Sequence, residues 1–342
     1  MTNSFGTLFK ITTFGESHGE GLGVCIDGCP AGLPLTAEEI SAELAKRAPG
    51  QDPLTSPRKE PDQARIYSGL FEGKTTGTPL TILIDNKDAD SSKYEPIHHL
   101  LRPGHANFTY LAKYGMFDYR GGGRASARET ACRVAAGFVA KKILEQLDIT
   151  IQAAVIEVGG STKMRERIEE ALDAQDSVGG IIEATATNVP PGLGEPLFGK
   201  LEALLAHAML SLPASKGFEI GLGFEAARLL GSACNDLFTK EGEKIVTESN
   251  NAGGTLGGLS SGMPLVFRVA FKPPSSIGKS QKTLTTEGKE ALFTLPKGSR
   301  HDPCVVFRAV PIVEAMTALV LVDLLLLNMR SKIEHLEKVY KG

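Results

Sequence analysis

No basic excess runs through this chain: Lys and Arg number 37 against 40 Asp and Glu in 342 residues, a formal net charge of −3. General binders of nucleic acid or anionic membrane carry a positive surplus, so neither partner is expected, and any bound anion must be met by locally gathered arginines. Cysteine is scarce as well. Cys25, Cys29, Cys132, Cys234 and Cys304 are odd in number and scattered, which argues for reduced thiols in a cytoplasmic protein rather than a disulfide framework. Cys25 and Cys29 have no further Cys or His at ligand spacing, and a structural zinc needs four ligands, so no metal is expected. Long apolar runs are also missing. The opening "MTNSFGTLFKITTFG" has no apolar signal-peptide core, and the thirteen residues 315–327, with Asp323 inside, are too short for a bilayer and read as a buried helix. Neither a Gly-x-x-x-x-Gly-Lys-Ser/Thr phosphate loop nor a Gly-x-Gly-x-x-Gly dinucleotide fingerprint after a strand occurs, which disfavours a nucleotide-dependent kinase and a Rossmann domain. No linker or low-complexity segment divides the chain, so residues 1–342 are expected to form one domain.

What is present is ordinary globular composition, 42% hydrophobic and 23% charged, with enough length for a substantial core. Residues 36–47 have Thr36 and Glu39 in capping-box relation, Ile40 and Leu44 on one face, and a Pro49-Gly50 stop. A second helix is expected from about Ser126 through "ETACRVAAGFVAKKILEQL", and a third over 197–210. A last one should begin near Pro311, a favoured first helical position, and continue to about Tyr340. The β-branched stretches "GVCIDG", "LTILID", "IQAAVIEVG", "GGIIEATATNV", "KGFEIGLGF" and "PLVFRVAF" read as strands between turn residues. Together they predict an α+β fold, with long central helices sandwiched between two antiparallel β-sheets and no regular parallel βαβ repeat. "VCIDGCPAGLPLTAEEISAELAKR" and "IIEATATNVPPGLGEPLFGKLEALLAHA" echo each other as strand, Pro-x-Gly-Leu turn and helix; duplication and chance both explain so short a match.

The stretch 118–130, "DYRGGGRASARET", joins a triple glycine to arginines just before a helix. Ser126 and Glu129 form an S-x-x-E capping box, so the helix should start at Ala127 and present free N–H groups to an anion. Arg124 precedes the cap and Arg128 follows one turn later. A flexible turn with solvated arginines accounts for the same residues. Four more stretches bear on the choice: "TTFGESHGEG" with His18, "LLRPGHANFTY" with His105, the Gly/Ser loop "SNNAGGTLGGLSSGMP", and "KGSRHDPCVVFRAVP" with Lys297, Arg300, His301 and Asp302. Imidazoles titrate near pH ~6.5 and exchange protons at neutrality. Asp302 reads equally as an ion-pair partner or a cap.

In order along the chain, "TTFGESHG" (12–19), "FEGKTTGTP" (71–79), "RPGHAN" (102–107), "YRGGGRASARET" (119–130), "PPGLGEP" (190–196), "SNNAGGTLGGLSSG" (249–262), "KPPSSIG" (272–278) and "GSRHDPC" (298–304) resemble the chorismate synthase family. The resemblance implies a homotetramer that converts 5-enolpyruvylshikimate 3-phosphate into chorismate and phosphate by anti 1,4-elimination. It implies reduced FMN as cofactor, with NADPH as its reductant in some relatives. By position, His18 would protonate the departing phosphate, His105 would keep the reduced flavin in its working protonation state, and Asp302 would assist proton removal. Arg47 and Arg124 would clamp carboxylate or phosphate, with Arg300 near both flavin and substrate. The flavin contacts implied are Arg124, Ala125, Ser126, Pro213, Ala214, Gly257, Lys272, Pro273, Pro274, Ser275, Ser276 and Arg300. Several positions depart from the family pattern: Ala48 and Pro53 replace basic residues, Ala125 replaces a serine, and Pro213 replaces a polar residue. A non-catalytic carrier of flavin or phosphometabolite would use the same pocket without turnover.

Overall fold

The computed structural model describes residues 3–48, 62–87, 92–296 and 302–341. Lys297, Arg300, His301, Pro53 and the Pro49-Gly50 stop lie outside them.

The first sheet is built from β1 (Ser4–Phe5), β2 (Lys10–Gly15), β3 (Gly21–Asp27), β4 (Ala64–Ser68) and β7 (Leu80–Asp85), in the order β1-β2-β3-β7-β4 and antiparallel throughout. A hairpin of β5 (Leu70–Phe71) and β6 (Lys74–Thr75) leads into β7. The second sheet uses β8 (Thr150–Val158), β9 (Gly180–Thr187), β10 (Ser215–Ile220) and β15 (Leu265–Phe271), in the order β10-β15-β9-β8, again antiparallel. Three peripheral hairpins pair β11 (Phe238–Glu241) with β12 (Lys244–Thr247), β13 (Thr255–Leu256) with β14 (Leu259–Ser260), and β16 (Gln281–Leu284) with β17 (Glu290–Phe293). The helices are α1 (Ala37–Ala45), α2 (Asn107–Tyr114), α3 (Thr130–Glu145), α4 (Met164–Asp173), α5 (Leu201–Leu210), the short α6 (Gly231–Cys234), α7 (Val306–Asn328) and α8 (Ile333–Tyr340).

Strand alternation decides which face turns inward. Leu80, Ile82 and Ile84 of β7, and Leu265, Phe267, Val269 and Phe271 of β15, are buried while their neighbours are not. Each such side chain contributes about 1.5–3 kcal/mol on burial. Between the sheets, α3 packs on β3 and β7, and α7 packs on β8 and β9. A helix with one apolar stripe does not serve at the centre of such a sandwich; α7 is buried nearly all round from Val306 to Leu324. Its length and hydropathy match a membrane span, yet 72% of its most apolar window is inside the molecule. The two central helices approach most closely at Gly137, where an added Cβ would stand 2.3 Å from the Ala315 Cβ. Asp323 is a buried acidic residue of α7, and its carboxylate accepts from the Thr7, Leu8 and Phe9 amides at 2.7–2.9 Å.

The sequence echo is a structural repeat. Strand order β2-β3-β7-β4 matches β8-β9-β15-β10, and α1 and α3 correspond to α5 and α7. The match extends to single hydrogen bonds. Thr75 Oγ1 accepts from Leu33 N and donates to Pro30 O, while Ser260 Oγ accepts from Leu193 N and donates to Pro190 O. Gly32 N donates to Thr75 O and Gly192 N to Ser260 O, both at 2.8 Å. Equivalent glycines, Gly32 and Gly192, take positive φ of 91° and 96°. Chance does not reproduce a network at this level, so the fold is a duplicated unit.

All six expected strands are found, and the capping box at Thr36 and Glu39 forms as expected. Other expectations are corrected. The last helix begins at Val306, five residues before Pro311, and breaks at 329–332 before α8. Pro311 lies so near the start that only the bond to the Phe307 carbonyl is lost, and burial of Val306 and Ala309 outweighs that. The expected third helix starts at Leu201 instead of 197. Ser126 does cap a turn, accepting from Arg128 N, but Glu129 does not reach back to it. Glu129 is buried and accepts from Thr13 Oγ1 at 2.7 Å and Arg133 Nε at 2.9 Å. A 3₁₀ turn over Ala127–Glu129 then precedes α3 at Thr130.

Candidate functional site

The triple glycine has a steric reason. Gly121, Gly122 and Gly123 take φ of 63°, 96° and 52°, the left-handed region that side chains resist. An added Cβ on Gly121 would lie 1.9 Å from Cε1 of His18, so the loop backbone forms the wall against which that imidazole rests. Arg124 fastens the loop to β2, its Nη1 donating to Gly15 O at 3.0 Å and its Nη2 to Thr13 Oγ1 at 2.8 Å and Thr13 O at 3.2 Å. Much of its donor set is thereby committed to the protein itself.

Arg128 and Arg47, from opposite sides, meet one carboxylate. Asp62 is completely buried, paired with Arg47 Nη1 at 2.7 Å and with Arg128 Nη1. Arg128 Nε also donates to Asn86 Oδ1 at 3.0 Å, and Asn86 in turn holds the Glu16 and Gly19 carbonyls that flank His18. Burial, opposed by Asp62 and reinforced by Arg308 and Arg128, lowers the Arg47 pKa to about 10, so it stays a cation at neutral pH. Arg47 Nε is buried without a hydrogen-bond partner among the described residues.

A second cluster gathers His18 and His105. The His18 ring, with Nδ1 3.1 Å from Ser17 Oγ, stands edge-on to Tyr94 at 5.4 Å between centroids. Arg102 lies over the same Tyr94 ring, its Cζ 5.5 Å from the centroid, and its Nη2 is 3.1 Å from Nε2 of His105. Ser276 Oγ is 3.0 Å from that nitrogen. Lys272 Nζ donates to Ser275 Oγ at 2.6 Å, and Ser275 Oγ donates to Gly104 O at 3.0 Å. The loop before α2 and the loop after β15 are thus laced together, and the two imidazoles stand within a short chain of contacts through Tyr94 and Arg102.

Asp302 completes the arrangement from the start of α7. It is ion-paired with Arg308, whose Nε donates to the Arg47 carbonyl at 3.2 Å. These residues line a cavity of about 90 Å³ with Ala127, Thr130, Pro213 and Ala214. The N-terminal turns of α3 and α7 both contribute to its wall, so two positive dipole ends meet there. Lys272 N donates to Ala214 O at 2.9 Å, which ties this cavity to the histidine cluster. A larger cavity of about 910 Å³ adjoins it, sharing Leu212 and Pro213, and is lined by Gly122–Ala125, Arg133, His207 and Tyr110 among others. The structure therefore has two neighbouring cavities with the imidazoles at loops beside them; neither His18 nor His105 lines either one.

Most of the expected site residues come together here: His18, His105, Asp302, Arg47, Ala125, Pro213, Ala214, Lys272, Ser275 and Ser276. Arg124 and Ser126 lie in the adjoining loop, and Pro273 and Pro274 continue from Lys272. Gly257 does not join them. It sits at the β13–β14 hairpin tip, which packs at the start of α5, while Pro213 follows that helix's other end, about 15 Å along ten residues. Arg300 lies outside the described residues. Sequence reasoning missed Tyr94, Asp62, Arg102 and Arg308. Arg102 was legible in "RPGHAN" beside His105; Tyr94 and Asp62 carry no local signal.

A family model described as chorismate synthase matches residues 9–326. A chorismate synthase of Protochlamydia amoebophila (strain UWE25) is 54% identical, with 96% of this chain and 98% of the relative covered. One from Synechocystis sp. is 51% identical over 95% and 98% of the two chains. A crystal structure of chorismate synthase superposes with a TM-score of 0.76 at 33% identity, covering 98% of this chain and 97% of that one.

Proposed function

The chain belongs to the chorismate synthase family, and on that premise we propose that the two clusters bind 5-enolpyruvylshikimate 3-phosphate beside reduced FMN and divide the elimination among named residues. The enzyme is a carbon–oxygen lyase of aromatic amino acid biosynthesis. Anti 1,4-elimination breaks one C–O and one C–H bond and forms one C=C bond, giving chorismate and phosphate without net redox change. The observation that carries this reading is the convergence of Arg47, Arg308 and two helix N-termini on one cavity, tied through Ala214 and Lys272 to the loops that carry His18 and His105.

Departing phosphate accumulates negative charge, and His18, braced by Gly121 and Tyr94, delivers a proton to it. Arg47, charged and with Nε unspent at the wall of the smaller cavity, donates that N–H to an anionic oxygen of the ester. Arg308 keeps the Asp302 carboxylate in place to assist removal of the carbon-bound proton. The residues also fit the cofactor: the larger cavity has room for a flavin-sized ligand, and Arg124 and Arg133 on its wall suit anionic groups. Ala125, Ser126, Pro213, Ala214 and Lys272–Ser276 would hold it, with Arg124 and Arg300 as further contacts. Bound there, reduced FMN would supply electron density toward the C–O bond that breaks. The protein works as a cytoplasmic homotetramer; exposed Leu230, Phe238 and Ile245 support an assembled form.

The test is anaerobic phosphate release from the ester with chemically reduced FMN. His18→Ala should lower the rate by about 10²–10⁴-fold while ligand affinity persists. Folded wild-type protein that binds flavin and ester but releases no phosphate would point to a carrier instead.

A further inference from the structure

His105 accepts hydrogen bonds at Nε2. Arg102 Nη2 is 3.1 Å from that nitrogen, and a guanidinium only donates. Arg102 Nη2 also lies 3.4 Å from Ser276 Oγ, which is itself 3.0 Å from Nε2. The cation therefore donates to ring and hydroxyl, the hydroxyl passes its own hydrogen to the ring, and the imidazole proton resides on Nδ1. Among the described residues, the charged groups facing the ring are Arg102, from its own loop, and Lys272, from the segment after β15. Burial, then these two charges, lowers the His105 pKa to about 3. The residue remains open to solvent, and water tempers the burial contribution. The direction agrees with what the hydrogen bonds require on their own.

Such a ring has no proton to give at neutral pH. Arg102, for its part, is poorly satisfied: its Nε is buried without a partner among the described residues, and burial lowers its pKa while Tyr94 opposes that. An incoming anion would satisfy it better than a neutral imidazole does.

We propose that anion binding gates the protonation of His105: without ligand, Arg102 holds the imidazole neutral through Nε2, and a phosphate or carboxylate group that engages Arg102 and Lys272 withdraws that hydrogen bond and neutralises both charges, so the ring takes a proton from solvent only once the ligand is seated. Arg102 is then a positioning residue that sets the tautomer and charge of His105. The inference rests on the site reading above only in taking the ligand to be an anion. It gives the enzyme order, because an acidic imidazole appears beside the cofactor pocket only once an anionic ligand is seated there.

The test is side-chain NMR of the full chain, with the His105 signal assigned by its loss in His105→Gln. Ligand-free protein should show a neutral Nδ1–H ring from about pH 8 down to about pH 5. Saturating inorganic phosphate, or the phosphate ester without flavin, should raise the midpoint by at least about one pH unit. Arg102→Met should move the ligand-free midpoint toward about 6.5 and abolish the ligand response. Ser276→Ala, which leaves the cation in place, should keep the ring neutral. A ligand-free midpoint near the ordinary histidine value, no rise with either anion, or an unchanged midpoint in Arg102→Met would overturn the gate. Absent phosphate release with these titrations intact would instead sink the reaction assignment.

Discussion

Asp62 holds two guanidinium groups where water does not reach, so the expected effect of Asp62→Asn is large. Arg47 and Arg128 would be left as buried cations without their counter-charge, at a cost of about 3–5 kcal/mol. Urea unfolding should show a lower midpoint at unchanged slope, and inorganic phosphate should stabilise the variant more than the parent. A midpoint shift worth less than about 1 kcal/mol would mean that the two arginines find other anionic partners. This residue also shows where reading the sequence stops. His18, His105 and Asp302 stand in short Gly, Pro and Arg contexts that announce loops with chemical roles. Asp62 meets Arg128 across 66 positions, and nothing in its neighbours marks it. The same limit hid Tyr94, whose importance lies in two rings and a cation that meet only in three dimensions.

Among the elements, the α3–α7 contact sets the spacing of the two helix starts that line the smaller cavity. Gly137→Ala forces a methyl against the Ala315 Cβ at 2.3 Å and Cα at 2.5 Å. The expected loss is about 1–3 kcal/mol of stability together with weaker substrate binding, measured by thermal unfolding and KM. Adding Ala315→Gly should recover only part of both, because the facing Cα remains. Full activity and stability in the single variant would show that the helices shift apart freely. Strongly patterned elements were legible here: all six β-branched stretches are strands, and the Thr36 cap lies where expected. The short or exposed pairs β5–β6, β11–β12 and β16–β17 were not, since they bury too little to impose an alternating pattern. Glu129 mimicked a capping residue because the local spacing was right, while tertiary partners Thr13 and Arg133 claimed its carboxylate.

At the scale of the molecule, duplication makes a prediction that no single contact makes. Thr75→Val and Ser260→Ala each strand one buried amide and one carbonyl in equivalent turns. Each should cost about 1–3 kcal/mol, and the double variant should match the sum to within about 0.5 kcal/mol, because the two turns share no partner. Strong non-additivity in urea unfolding would mean that the halves communicate through their hairpins. In the sequence this repeat was only an echo, since the halves keep turn geometry and strand order while changing most side chains.

The position of α7 in the chain carries a consequence for biogenesis. Both sheets and α3 precede it, so a nascent polypeptide on the ribosome has already formed the apolar face of the second sheet and the face of α3 that α7 later covers. Until residues 306–328 emerge, those surfaces have each other or a chaperone to cover them, and a translational pause just upstream of Val306 is where premature collapse would do most harm.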